Sequence, residues 1–142
     1  MWAVALSPDG KQLATAGDDR GVRFWDLRNG KEITVFDGHE YRVRSLVVST
    51  DGKCLYSASV DKTIRVWDAN PRHASPVLTS IPDPVTALAV SPDGSRLLFE
   101  SATDGIRVVD PRSGAQLERI RIDARPAEGF RISSDGALIA TT

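Results

Sequence analysis

Three side chains between residues 39 and 61 have the types that nucleophilic hydrolysis requires. Ser57 could serve as the nucleophile, His39 as its general base and Asp61 as the carboxylate that orients the base. Such chemistry also needs an exposed nucleophile and an oxyanion hole. The G-x-S-x-G turn that presents the serine of many hydrolases does not surround Ser57. The sequence therefore favours a structural role for these residues, and the pattern in which they recur supports it.

The chain is an internal repeat with a period of 42 residues. A Ser-x-Asp-Gly turn motif recurs at that spacing, beginning at Ser7, Ser49, Ser91 and Ser133. A second landmark, Trp-Asp or Val-Asp, has the same period and ends at Asp26, Asp68 and Asp110. Two landmarks with one gap-free period predict repeat units. The units are expected at about residues 1–42, 43–84 and 85–126, with a partial unit at 127–142.

Each unit carries the signals of four short strands. The run from Val43 to Val48 is apolar and rich in β-branched residues, as expected of a strand buried on both faces. The Ser-x-Asp-Gly turn follows, and then come a second strand, a second tight turn and an alternating third strand. A more variable fourth strand closes the unit, and no apolar spacing typical of a helix persists. Four strands in each repeat predict an all-β fold made of propeller blades.

The segment GHEYRVRSLVVSTDGKCLYSASVDKTIRVWD resembles a WD40 repeat nearly residue for residue. The first unit, VALSPDGKQLATAGDDRGVRFWD, resembles it closely too, while the third is recognisable but degenerate and the last stops within its second strand. The resemblance implies an incomplete WD40 β-propeller of about three and a half four-stranded antiparallel blades. We expect these blades to be part of a larger propeller.

The resemblance also implies roles for the residues that first suggested hydrolysis. In WD40 proteins a His, a Ser or Thr, an Asp and a Trp form a buried hydrogen-bonded tetrad. The matching residues are His39, Ser57, Asp61 and Trp67 in the second unit, with a partial set of Thr15, Asp19 and Trp25 in the first. Ser57 is preferred to Ser59 because the first unit has a hydroxyl at the Ser57 position and Gly17 at the other.

The third unit has lost all four tetrad residues together. Ile81, Phe99, Thr103 and Val109 stand in their places. A half-satisfied buried polar network is worse than an apolar core, so a concerted loss is physically reasonable. We expect Ile81, Phe99 and Val109 to replace hydrogen bonds with packing.

The resemblance implies a non-catalytic scaffold that binds a protein or peptide through its loops. The loop residues of interest precede the innermost strands or lie at the second turns: Asp18, Arg20, Glu40, Tyr41, Arg42, Val60, Lys62, Asp83 and Arg125. Tyrosine and arginine are favoured at the energetic centres of interfaces, and loops carry function more often than strands do. No residue names the partner.

Two alternatives stay open at this stage. The chain could be the propeller portion of a larger enzyme or signalling protein, linked to a kinase, protease or NTPase. Its two histidines, His39 and His73, and the Asp18-Asp19 pair make a poor catalytic or metal site, so no cofactor is expected. A nucleic-acid-associated scaffold would use a sequence cluster of arginines, namely Arg119, Arg121, Arg125 and Arg131. The net charge of −1 favours a solvated strand face instead.

Composition and chain ends set the remaining expectations. The 142 residues are 41% hydrophobic and 26% charged, which is typical of a globular protein, and the single Cys54 excludes an internal disulfide. The chain lacks a membrane-length apolar run and a signal-peptide layout, so a cytoplasmic location is expected. Neither end matches a blade boundary, which predicts a fragment of a longer protein. A homo-oligomer that completes the propeller and an arc that stands alone are the alternatives.

Overall fold

The computed structural model describes residues 1–68, 77–101, 103, 105–121, 130–136 and 138–141. The regular structure in this part of the chain is all β. Three four-stranded antiparallel sheets and one two-stranded sheet follow one another, each with its strands in sequence order. This is the succession of propeller blades that the 42-residue repeat predicts. Within the described residues, no helix has the length and hydropathy needed to cross a membrane.

The strands recur with the sequence period. The first sheet comprises β1 Ala3–Leu6, β2 Gln12–Ala16, β3 Val22–Asp26 and β4 Lys31–Phe36. The second comprises β5 Val43–Val48, β6 Cys54–Ser59, β7 Thr63–Asp68 and β8 Val77–Ser80. The third comprises β9 Val85–Val90, β10 Leu97–Ser101, β11 Gly105–Val109 and β12 Gln116–Ile120. The fourth comprises β13 Phe130–Ile132 and β14 Ile139–Thr141.

A side-chain turn closes the first hairpin of every sheet. Ser7 Oγ donates to Asp9 Oδ1 at 2.6 Å and accepts from the backbone N–H of Gln12 at 2.9 Å. The same pair of hydrogen bonds recurs at the three later copies, which begin at Ser49, Ser91 and Ser133. The glycine that ends each motif has φ between 69° and 74°, a region that L-residues rarely adopt. These bonds explain why the motif recurs in the sequence.

The core lies between neighbouring sheets. Phe24 of the first sheet and Trp67 of the second belong to one apolar cluster, and a second cluster joins the second and third sheets. Hydrogen bonds reinforce this packing: the Val43 N–H donates to the Gly17 carbonyl at 3.0 Å, and the Leu88 N–H donates to Ser45 Oγ at 3.0 Å. The innermost strands β1, β5, β9 and β13 therefore adjoin one another.

Several strand limits differ from those that the repeat predicts, which begin the innermost strand of the first unit at Met1 and place the fourth strands at residues 32–36, 76–81 and 116–122. Strand β1 begins at Ala3 rather than at Met1, although the Trp2 N–H still donates to the Ala16 carbonyl at 2.9 Å. Strand β8 ends at Ser80 rather than at Ile81. Ile81 nevertheless continues the pairing with the β7 side, because its N–H donates to the Lys62 carbonyl at 2.9 Å, and its side chain is buried. Strand β12 ends at Ile120, before the described Arg121, and strand β4 begins at Lys31 rather than at Glu32. Residues 76 and 122 lie outside the described residues.

Candidate functional site

Four buried side chains of the second sheet form a continuous hydrogen-bonded network. The Trp67 Nε1–H donates to Ser57 Oγ at 2.7 Å, and Ser57 Oγ lies 2.6 Å from His39 Nε2. His39 Nδ1 lies 2.7 Å from Asp61 Oδ2. Ser57 is 0% exposed and Trp67 is 1% exposed. The structure thus brings the four tetrad residues of the second unit together. Ser59 takes another role and bonds to the Tyr41 and Arg42 carbonyls.

One protonation state of His39 gives every group in the network a partner. A neutral imidazole with its proton on Nδ1 donates to Asp61 and accepts from the Ser57 hydroxyl. The Ser57 oxygen can then accept from the Trp67 indole. Burial lowers the pKa of His39, and the hydrogen bond to Asp61 offsets part of that effect. The neutral form is therefore the one that the fold favours.

Asp61 ends the network as an ionised carboxylate. Burial raises its pKa, but hydrogen bonds from Thr63, His39 and the Glu40 backbone outweigh that effect and leave the pKa below its usual value. Asp61 Oδ1 accepts from the Thr63 N–H at 2.9 Å and from the Thr63 hydroxyl at 2.6 Å. Oδ2 accepts from the Glu40 N–H at 3.0 Å. The carboxylate thus ties strand β7 to the loop that carries His39.

The hydrogen-bonded series Ser57–His39–Asp61 has the connectivity of a hydrolase triad. Whether a substrate can reach the Ser57 oxygen therefore decides whether these residues could be catalytic. The Ser57 oxygen is buried and already accepts from the Trp67 indole. A substrate carbonyl cannot reach it in this arrangement. The network instead joins β6, β7 and the loop between β4 and β5, which suits an internal support.

The segment that carries His39 packs closely against Trp67. The Phe36 ring stacks on the Trp67 ring with centroids 5.2 Å apart and an interplanar angle of 29°. A Cβ on Gly38 would lie 3.0 Å from Arg65 Nη1 and 3.3 Å from Trp67 Cη2. These close approaches and a φ of 158° favour glycine at this position. Residues 36–39 cover this face of the second sheet, and we call this segment the plug.

The first sheet holds a partial version of the network. The Trp25 Nε1–H donates to Thr15 Oγ1 at 2.8 Å. The Asp19 carboxylate pairs with Arg23. The side chain of Asp19 is 52% exposed, whereas that of Asp61 is 5% exposed. In the first unit, the Thr, Asp and Trp of the partial tetrad therefore lie on a solvent-accessible face of the sheet.

In the third sheet, packing replaces the network. Ile81, Phe99 and Val109 are all buried and belong to the cluster between the second and third sheets. Thr103, at the position of the tetrad Asp, lies on the surface and donates its hydroxyl hydrogen bond to Asp83. This is the exchange of hydrogen bonds for packing that the sequence predicts.

Seven of the candidate binding residues lie along one edge of the first two sheets. The turn between β2 and β3, the loop between β4 and β5 and the turn between β6 and β7 together carry Asp18, Arg20, Glu40, Tyr41, Arg42, Val60 and Lys62. A backbone hydrogen bond of 3.2 Å from the Val60 N–H to the Arg42 carbonyl holds two of these segments together. Arg125 lies outside the described residues.

Two residues that the sequence analysis did not select lie beside this edge. The Trp2 Nε1–H donates to Asp18 Oδ1 at 2.7 Å, and the Arg44 guanidinium carbon lies 5.1 Å from the centroid of the Trp2 ring. Trp2 is 53% exposed and Tyr41 is 60% exposed. Trp2 and Arg44 occupy the same repeat position, one residue beyond Met1 and Val43, so aligning the units could have revealed both.

We call the combined surface the loop-edge surface. It consists of Trp2, Asp18, Arg20, Glu40, Tyr41, Arg42, Arg44, Val60 and Lys62. Of the arginines considered for nucleic-acid binding, Arg119 and Arg131 lie elsewhere and do not share one strand. Arg119 is on β12 at the outer edge of the third sheet, whereas Arg131 is on the β13 strand that adjoins innermost β9. Proximity in sequence thus does not make them one surface.

The sheets and their buried network define a repeat protein of the β-propeller class. A family model described as "WD domain, G-beta repeat" matches residues 1–26 and 30–68. The first two units of the chain therefore carry WD40 repeats.

Curated relatives resemble short parts of the chain. The general transcriptional corepressor TUP1 of Saccharomyces cerevisiae is 48% identical over 44 residues, which is 31% of this chain and 6% of that protein. The U3 snoRNP-associated protein-like YAO of Arabidopsis thaliana is 46% identical over 44 residues, or 31% of this chain and 9% of that protein. An uncharacterized WD repeat-containing protein of Nostoc sp. is 50% identical over 46 residues, which is 32% of this chain and 3% of that protein. The chain thus matches less than a tenth of each relative's length.

Proposed function

We propose that the chain is a non-catalytic scaffold that binds a protein or peptide partner through the loop-edge surface. The observation that carries this proposal is the exposed cluster in which Trp2 is held by Asp18 and faced by Arg44, with Tyr41 on the neighbouring loop. Trp, Tyr and Arg are the residue types that most often dominate binding energy at interfaces.

The arrangement of the cluster supports binding at low entropic cost. The Trp2 indole is fixed at its N–H by Asp18, and a guanidinium within about 6 Å of an indole ring is electrostatically attracted to its face. Side chains that are ordered before binding lose less freedom when a partner arrives. Arg20, Glu40, Arg42 and Lys62 lie in the turns and the loop of the same edge, so this edge carries charges of both signs.

Several observations support the non-catalytic part of the proposal. The Ser57 hydroxyl is buried beneath the plug and already accepts a hydrogen bond from the Trp67 indole. The names of two relatives, a transcriptional corepressor and a U3 snoRNP-associated protein, describe a regulatory role and an association rather than a reaction. The separation of Arg119 from Arg131 disfavours a nucleic-acid surface.

Selection from a displayed peptide library on the purified chain tests the proposal. Peptides that bind the loop-edge surface should bind the Arg28→Ala variant like the unmodified chain, because Arg28 lies in the turn after β3, at the opposite edge. They should lose affinity for the Tyr41→Ala and Arg44→Ala variants. Selected peptides that respond to Arg28 and not to Tyr41 or Arg44 would refute the assignment of the surface. A doubled mass in light scattering would support the separate expectation of a homo-oligomer.

A further inference from the structure

The loop-edge surface carries an excess of positive charge that the whole chain does not share. Two of its side chains are acidic, Asp18 and Glu40, and four are cationic, namely Arg20, Arg42, Arg44 and Lys62. All four cations are exposed to solvent. The net charge of the chain, by contrast, is −1. The surface is therefore a local region of positive potential on a slightly acidic protein.

The four cations are not paired within the protein. In the ranges that the structure describes, none of them forms an ion pair with a carboxylate. Of the two acidic side chains, Asp18 accepts the hydrogen bond of the Trp2 indole. In the same ranges, the Glu40 carboxylate has no partner. Most of the positive charge of this surface is therefore available to a ligand.

Backbone hydrogen bonds hold the cation-bearing segments side by side. The Val43 N–H donates to the Gly17 carbonyl at 3.0 Å, which joins the start of β5 to the turn between β2 and β3. The Val60 N–H donates to the Arg42 carbonyl at 3.2 Å, which joins the turn between β6 and β7 to the loop before β5. Two turns and one loop thus form a continuous edge on which one ligand can contact several cations.

Arg44 joins this edge through a β-bulge. The pairing of β5 with β6 shifts in register between Val43 and Ser45, which leaves Arg44 as the extra residue of its strand. Bulges redirect side chains and are frequent beside functional sites. The Arg44 guanidinium lies over the Trp2 ring, and a guanidinium placed over an aromatic face keeps its N–H groups available for a carboxylate.

The two cations in the turns have a backbone conformation that favours glycine. Arg20 and Lys62 occupy the same repeat position, and both have φ of 68°. Other residues adopt this region only rarely, and residues held in it gather at functional sites. Each cation follows an aspartate that is already engaged within its own sheet, Asp19 by Arg23 and Asp61 by the buried network. The turns themselves therefore give no reason for a cation at this position.

We propose that the partner of the loop-edge surface is an acidic peptide segment, whose aspartate or glutamate carboxylates pair with Arg20, Arg42, Arg44 and Lys62. This inference rests on the proposed function and specifies the chemistry of the partner. Hydrogen bonds between a cationic donor and a carboxylate are shorter and stronger than neutral ones. A peptide can also place its carboxylates away from Glu40, whereas a nucleic acid carries a phosphate at every nucleotide. Peptide carboxylates are therefore favoured over RNA.

The test compares two capped peptides, one with glutamate at every second position and one with glutamine in its place. Isothermal titration into the full chain should detect binding of the glutamate peptide and none of the glutamine peptide. Raising the salt concentration from about 0.1 M to about 1 M shortens the Debye length from about 10 Å to about 3 Å and should weaken binding several-fold.

A charge-neutral double variant locates the binding. Arg20→Asn/Lys62→Asn should fold normally, because asparagine tolerates a φ of 68°. It should bind the glutamate peptide about three- to tenfold more weakly, since two exposed ion pairs are lost. Arg28→Gln/Lys53→Gln is the matched control, because it removes two cations from turns at the opposite edge. The control should bind like the unmodified chain.

The proposal is overturned if the glutamate peptide does not bind, if the two peptides bind equally, or if the two double variants bind equally. An oligouridylate that binds more tightly than the glutamate peptide and displaces it would assign the edge to RNA and would also overturn the proposal. The selection from the displayed library separates these failures from a failure of the proposed function. Selected peptides that depend on Tyr41 and Arg44 but are not acidic would refute only the acidic partner, whereas peptides independent of both residues would refute the surface itself.

Discussion

The Trp67 indole N–H and the Ser57 hydroxyl oxygen form a buried hydrogen bond of 2.7 Å. The first sheet repeats this bond between Trp25 and Thr15 at 2.8 Å, on an open face. The third sheet has Val109 and Phe99 at the two positions and fills the space with apolar side chains. The same two repeat positions thus hold a buried hydrogen-bonded network in the second sheet, an accessible hydrogen bond in the first sheet and apolar packing in the third. The consequences for stability differ among the three.

Removing the Ser57 hydroxyl should destabilise the fold. Ser57→Ala leaves the Trp67 indole and His39 Nε2 buried without their partner, and an unsatisfied buried polar group costs about 1–3 kcal/mol in the free energy of unfolding. Denaturant unfolding of the purified variant gives the value. Ser80→Ala, at an exposed position, is the control and should change stability by less than about 0.5 kcal/mol. Equal stability of the two variants would contradict the role given to Ser57.

The two equivalent aspartates should differ in importance. Asp61→Ala removes the partner of His39, Thr63 and the Glu40 N–H and should lower the free energy of unfolding by about 1–3 kcal/mol. Asp19→Ala breaks an accessible ion pair with Arg23 and should cost less than about 1 kcal/mol. Thermal melts of both variants test the difference. A loss of stability for Asp19→Ala as large as that for Asp61→Ala would show that burial of the aspartate does not determine how much its removal destabilises the fold.

Stability should fall in mildly acidic solution because of His39. Burial lowers its pKa in the folded state, so the unfolded chain binds more protons when the pH drops below the ordinary histidine pKa of about 6.5. The contribution of neutral His39 to the free energy of unfolding is complete above that pH and is lost as the pH falls toward the pKa of His39 in the folded state. Asp61, whose pKa is also lowered, adds a further loss only below the ordinary carboxylate pKa of about 3.9.

Urea unfolding at about pH 8 and about pH 5 separates these effects. His39→Gln should be less stable than the unmodified chain at the higher pH and should lose less stability on acidification. His73 is present in both proteins, so the difference between their pH profiles reports His39. Parallel profiles would mean that His39 does not titrate differently on folding.

In the third sheet, packing rather than hydrogen bonding should dominate. Phe99 is 1% exposed, and Phe99→Ala should lower the free energy of unfolding by about 3–5 kcal/mol, as is usual for a buried phenylalanine. Phe99→Leu keeps most of the apolar volume and is expected to retain most of the stability. Denaturant unfolding checks both variants. A small effect of Phe99→Ala would indicate that the space is not filled by packing.

The repeat made most of the fold predictable from the sequence. The recurrence of the Ser-x-Asp-Gly turn and of Trp67 one period after Trp25 indicated the strands, their order and the identity of the blades. Comparison of Thr15 with Gly17 was enough to select Ser57, because residues at the same repeat position face the same environment. Such inferences rest on spacing along the chain, which the repeat conserves.

Contacts between different loops could not be read in the same way. The hydrogen bond from Trp2 to Asp18 joins residues on different elements, and the placement of Arg44 over the Trp2 ring depends on how two sheets pack. The separation of Arg119 from Arg131 was hidden for the same reason, since neighbours in the sequence fall on opposite edges of the blades. The loop-edge surface therefore emerged from three-dimensional packing, whereas its individual turns emerged from the sequence.

The central claim is that the Ser-His-Asp network supports the fold and that the loop-edge surface binds the partner. Isothermal titration of a selected peptide into the double variant Tyr41→Ala/Arg44→Ala tests it most directly. The account predicts at least about a tenfold loss of affinity, as for removal of an interface hot spot, with an unchanged melting temperature. Ser57→Ala, measured below its own melting temperature, should bind like the unmodified chain. Full affinity in the double variant combined with a loss in Ser57→Ala would contradict the account.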